Sequence, residues 1–142
     1  MDYRVVRSNA EREGSCYHEF VKGRWNGTHW SEGSLFVDDD PFDLLVHMFI
    51  RHFKAFDRTG PNEIPRPAGL EIVNDLRKAA AWLSMGRFED AASIIGGLPV
   101  PIKGEPHDVV GNAAEISDMM NDLASTLEEW YLVEDAVTVL GI

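Results

Sequence analysis

Sulfur chemistry is almost absent from this chain: of its 142 residues one is a cysteine, Cys16. No internal disulfide can form, and since small secreted domains are usually stapled, a reducing compartment and a cytoplasmic location are expected. Long apolar runs are missing as well. No segment approaches the ~20 apolar residues of a membrane-spanning helix, and Met1-Asp2-Tyr3-Arg4 leads into polar residues rather than into the apolar stretch of a signal peptide. A third absence is local: residues 105–142 carry nine acids and no Lys or Arg.

That last absence accounts for most of the net charge of −11. Residues 1–60 hold ten acids against eight bases, whereas residues 61–142 hold fourteen acids against five bases. A field of this sign repels phosphate backbones and anionic lipid, so neither nucleic acid nor a membrane is an expected partner. A basic protein would be attracted and its encounter accelerated.

Patterns that carry chemistry are also lacking. The histidines, His18, His29, His47, His52 and His107, make no His-x3-His and no HExxH, and there is no Cys-x2-Cys. Cys16 and His18 stand two apart, but no orienting group or oxyanion site is signalled beside them. Asp38-Asp39-Asp40 lacks the spaced acceptors and central glycine of a calcium loop. Gly96-Gly97 has no following Lys-Ser/Thr to cradle phosphate. We therefore assign no catalytic residue, no metal ligand and no cofactor.

What is present suffices for one self-standing core. The chain is 44% hydrophobic and includes Trp25, Trp30, Trp82 and Trp130, at the length of one ordinary domain. The expected fold is α+β and mostly helical: an N-terminal β-hairpin or small antiparallel sheet packed on about four α-helices. Residues 1–142 form a single domain, β-rich over 1–40 and helical over 41–142.

Tyr3-Arg4-Val5-Val6 reads as a short strand. Cys16 to Trp25 and Thr28 to Val37 are rich in aromatic and β-branched residues on either side of Asn26-Gly27, a dipeptide suited to a type I′ turn, so a hairpin is expected there. The alternation is too polar for both faces to be buried. Asp40 is placed to cap a helix with Pro41 at its first position, and Phe42, Leu45, Val46, Phe49, Phe53 and Phe56 continue it as an apolar stripe. Thr59 to Gly69, with Gly60, Pro61, Pro65, Pro67 and Gly69, reads as a loop.

From about Leu70 the pattern is helical again, with Ile72, Val73, Leu76, Ala80 and Leu83 on one side and Gly86 placed for a left-handed cap. A shorter helix, Phe88 to Ile95, stops at Gly96-Gly97. Across this junction Ala-Ala-Trp-Leu-Ser-Met-Gly-Arg-Phe-Glu-Asp-Ala-Ala, residues 80–92, resembles the turn between the two helices of a tetratricopeptide repeat. The resemblance covers thirteen residues and occurs once. Such arrays need about three stacked units, so it implies a helical hairpin. Leu98-Pro99-Val100-Pro101 reads as an extended linker.

The last helix starts at about His107 or Asn112 and runs into Trp130-Tyr131, with Ile116, Met120, Leu123, Leu127 and Trp130 on its apolar side. At 100° per residue, Asp108, Glu115, Asp118, Asp122 and Glu129 fall within roughly 80° of one another on the opposite side. They form a ridge of carboxylates. A break is expected near Leu132 to Glu134, and Ala136 to Ile142 closes the chain as a strand.

These features point to an acidic cytosolic binding or inhibitor protein that neutralises a basic protein partner, most specifically an immunity protein against a nuclease-like toxin domain. The ridge is its candidate partner-binding surface, and Trp25 and Trp30 are candidate aromatic anchors. An adaptor or secretion-chaperone-like protein and a small enzyme using cleft carboxylates are the alternatives.

Overall fold

The computed structural model describes residues 3–14, 16–96, 101–102, 105–106 and 108–141. Its strands are β1 (Val5–Val6), β2 (Tyr17–Lys22), β3 (Leu35–Asp38), β4 (Pro61–Pro65), β5 (Pro101–Ile102), β6 (Glu105–Pro106) and β7 (Ala136–Leu140). Its helices are α1 (Asp39–Phe42), α2 (Val46–His52), α3 (Arg66–Ser84), α4 (Phe88–Ile95) and α5 (Ala113–Tyr131). This is the expected mostly helical α+β fold. The main sheet has the order β1-β3-β2-β7-β4 with every pair antiparallel, and β5 and β6 form a separate antiparallel pair. The expected linker over residues 98–101 lies outside the described residues except for Pro101.

One hydrophobic cluster runs from Tyr3 to Val139 and joins the inner face of the sheet to the helices. Alternation along the strands selects that face: Phe20, Leu35, Val37, Ile64, Val137 and Val139 point to the helices. The stripe of α3 (Ile72, Val73, Leu76, Ala80, Leu83) and that of α5 (Ile116, Met120, Leu123, Leu127, Trp130) are buried as their spacing requires. Burying each large aliphatic side chain contributes roughly 1.5–3 kcal/mol. Two polar bonds fix how α5 docks: Ser117 Oγ donates to the Ala80 carbonyl at 2.9 Å, and Tyr131 Oη donates to the Ile64 carbonyl at 2.9 Å.

The helical hairpin of α3 and α4 forms as the sequence implies, with Gly86 (φ 74°) and Gly96 (φ 102°) in the left-handed region. The chain breaks after Tyr131 and returns as β7, whose residues are all buried. This C-terminal strand lies inside the sheet, between β2 and β4. The sheet therefore draws on both the first forty residues and the part expected to be helical.

Five local expectations are corrected. The Asn26-Gly27 dipeptide does not turn the hairpin. Strands β2 and β3 do pair, but Phe20 opposes Leu35 and the connection spans residues 23–34. The buried Glu19 carboxylate causes this, accepting from Trp30 N at 2.6 Å, Ser31 N at 2.9 Å and Ser34 Oγ at 2.6 Å, which folds the second arm back over the sheet. The same carboxylate overturns the one-sided strand: Tyr17 to Val21 are buried on both faces, the outer one by a small cluster of Val6, Tyr17, Phe36 and Trp30.

The cap before α1 is Asp38, which accepts from Asp40 N at 3.4 Å, and Asp40 lies within the helix. The single helix expected from Pro41 to Phe56 is divided. Asp43, Leu44 and Leu45 donate to carbonyls three residues back, a tighter winding that separates α1 from α2, and α2 ends at His52. Finally, the loop expected over 59–69 contains β4 and the first turn of α3. Pro61 and Pro65 are tolerated because β4 is an edge strand, where a missing N–H on the free side costs no ladder bond, and Pro67 sits in the first turn of a helix.

Candidate functional site

Helix α5 presents its carboxylates away from the core, as its periodicity demands, but the chain itself engages part of the ridge. Asp108 precedes the helix and closes a turn, accepting from Gly111 N at 2.8 Å. Burial raises the pKa of the Tyr3 phenol, and the charges of Asp108 and Glu115 add to that rise. Asp122 is ion-paired with Arg7, which also donates to Thr126 Oγ1 at 3.2 Å. The ridge is thus partly covered by the N-terminal segment. Glu115, Asp118 and Glu129 remain exposed.

The two candidate anchors differ in the same way. Trp30 has a left-handed backbone (φ 60°), its N–H is held by Glu19, and the Arg12 guanidinium lies 3.8 Å from its ring centroid. Asn9 Nδ2 donates to its carbonyl at 2.7 Å. It closes the outer cluster. Trp25 is half-buried, and its indole N–H donates to the Thr28 carbonyl at 2.9 Å within its own loop. That bond fixes the ring. Trp25, Pro61 and Glu63 line a groove of about 350 Å³.

This groove adjoins the C-terminal end of α5 through charge pairs. Glu63 accepts from Trp25 N at 3.2 Å and lies 3.6 Å from Arg24, which in turn lies 3.3 Å from Asp135. Between Asp135 and Glu129 stand Leu132 (79% exposed) and Val133 (67% exposed), the two most exposed large apolar side chains among the described residues. Arg24 thus links the groove to Asp135, which follows the two exposed aliphatic residues in the chain. Sequence reasoning missed Pro61, Glu63, Leu132 and Val133. The available signal was that Leu132 and Val133 continue an apolar stretch past the point where the helical stripe ends.

Two further clusters of titratable groups bind elements of the fold together. His18 is buried and stacked on Phe42 at 4.0 Å, with its Nε2 2.8 Å from Asp39 Oδ1. Asp39 and Asp43 both pair with Arg58. Burial lowers the pKa of His18 against the opposing pull of Asp39. Cys16 is exposed, and its carbonyl accepts from Asp39 N at 2.9 Å. On the other side, His52 lies between Asp75 (2.7 Å) and Glu71 (2.8 Å), while Arg51 reaches Asp75 at 3.0 Å and the Ile94 carbonyl at 3.0 Å, tying α2 to α3 and α4. Among the described residues, no group of three His, Cys, Asp or Glu side chains is placed to hold a metal ion, and no helix is long and apolar enough to cross a membrane. No protein-family model matches the chain, and neither a curated protein nor a solved structure matches it.

Proposed function

We propose that this chain is an acidic binding protein that neutralises a basic protein partner, in its most specific form an immunity protein that blocks a nuclease-like toxin. One observation carries the reading: Glu115, Asp118 and Glu129 stand exposed on α5, and no ion pair joins them to a basic side chain among the described residues. Like charges left on one helix face cost stability unless solvent or a partner compensates, and their field steers a basic partner onto that face. Arg7 on Asp122 and Thr126 is a guanidinium already accepted by the same helix.

The test is charge reversal combined with co-expression. Glu115→Lys, Asp118→Lys and Glu129→Lys together should leave the helical circular dichroism intact, yet abolish protection against a toxin domain encoded beside this chain. Capture of that domain should weaken most at low salt. Undiminished capture by a folded triple variant eliminates the α5 face.

A further inference from the structure

Of the two loop tryptophans, Trp30 carries a guanidinium, whereas Trp25 has the His29 ring set edge-on to it at 5.6 Å. Arg12 covers the Trp30 ring, whereas no Lys or Arg among the described residues stacks on Trp25. Trp25 instead borders a groove with Pro61 and the Glu63 carboxylate. We infer that this groove is the receptor for one long cationic side chain, Lys or Arg, of the basic partner. The inference rests on reading the chain as a binder of basic proteins, and it adds a specific socket outside the α5 ridge.

Three features of the groove fit that occupant. Trp25 offers a π face, which attracts a cation, and its indole hydrogen bond to Thr28 holds the ring without the partner having to order it. Glu63 is aimed by the Trp25 backbone N–H, so its charge is fixed beside the ring. Arg24 offsets only part of the local charge: it lies between two carboxylates, Glu63 and Asp135, leaving one negative charge over. Pro61 and the indole give the aliphatic stem of a Lys or Arg an apolar wall while its head reaches the carboxylate. The free side of β4 suits a side-chain contact better than an added strand, because neither Pro61 nor Pro65 has an N–H to offer.

The isotope-labelled full chain, titrated with N-acetyl-arginine amide, N-acetyl-lysine amide and uncharged N-acetyl-norleucine amide, tests this. The two cations should give saturable shifts at the Trp25 indole N–H and the Glu63 amide, and norleucine should not. Glu63→Gln and Trp25→Leu should each weaken the effect about fivefold, with the remaining amide spectrum reporting an intact fold. Glu89→Gln, at an exposed acid of α4, should leave it unchanged. Equal shifts with norleucine, or no shift at tens of millimolar, overturn the socket. Shifts confined to residues 115–129 also overturn it, while leaving the acidic helix face standing as the site.

Discussion

Arg7, one residue beyond β1, pairs with Asp122 in the middle of α5, and both side chains remain nearly half exposed at 49% and 44%. The contact brings the N-terminal segment onto the acidic helix. An exposed pair of this kind contributes little to stability, so Arg7→Ala should shift the unfolding free energy by no more than about 1 kcal/mol. Its effect on association should be larger, because Asp122 is uncovered and the face gains a net negative charge. Stopped-flow mixing with a basic partner should show faster association at low salt and no difference at high salt. A slower rate at every salt concentration would mean that Arg7 itself touches the partner.

Glu19 predicts the opposite balance. It is 1% exposed, and three donors of the 30–34 segment converge on it. Glu19→Ala leaves those donors unsatisfied beneath the outer cluster and should cost about 2–4 kcal/mol. Glu19→Gln, which keeps an acceptor oxygen, should cost less. Urea unfolding gives the energies, and a red-shifted tryptophan emission in the alanine variant reports release of Trp30. Unaltered emission together with wild-type stability would show that the loop is held by other contacts.

The contrast between these residues explains what was legible in the sequence. Helices α3, α4 and α5 were readable because one period governs a long stretch, and Gly86 and Gly96 punctuate it. Strand β7 was readable from its β-branched run, though its place between β2 and β4 depends on pairings far along the chain. The hairpin connection was misread because Asn26-Gly27 is a local signal, whereas the loop follows a carboxylate fifteen residues from Ser34. Asn26 does turn the chain, but through its own side chain, which accepts from Thr28 N at 3.0 Å. The ridge was legible as a direction on a helix. Its division into engaged and free carboxylates was not, because Arg7 and Tyr3 come from more than a hundred residues away.

Gly69 shows the same limit in a position that can be tested. In sequence it looks like a loop breaker beside prolines, yet it lies in α3, and a Cβ there would stand 2.1 Å from the Tyr131 ring. The glycine is needed for the close approach of the α5 terminus. Gly69→Ala should raise helix propensity and still destabilise, by about 2–3 kcal/mol, because the buried ring must move. Gly69→Ala with Tyr131→Leu should recover part of that loss, and chemical denaturation of the two variants and the double variant measures the coupling. A stabilised Gly69→Ala single variant would contradict this packing of α3 against Tyr131.

His18 makes stability depend on pH with a definite sign. Its imidazole is buried, which lowers its pKa from the ordinary 6.5 despite the hydrogen bond to Asp39. Nε2 donates to Asp39 in the neutral ring, and Nδ1, which has no partner among the described residues, is then an unprotonated acceptor, the less costly atom to leave unmatched. Between the two pKa values the unfolded chain holds the proton and the folded chain does not, so stability rises with pH. The contribution of this group is complete above the unfolded value and is lost as pH falls through 6.5 toward the folded one. Asp39 separates from this effect. Burial raises its pKa, but the bonds from His18 and Arg58 outweigh burial and lower it overall, so its contribution is lost only below its ordinary 3.8. Urea midpoints measured from about pH 7.5 down to about pH 5 should therefore fall more steeply for the wild type than for His18→Leu. Parallel curves would show that the imidazole is not held neutral by the fold.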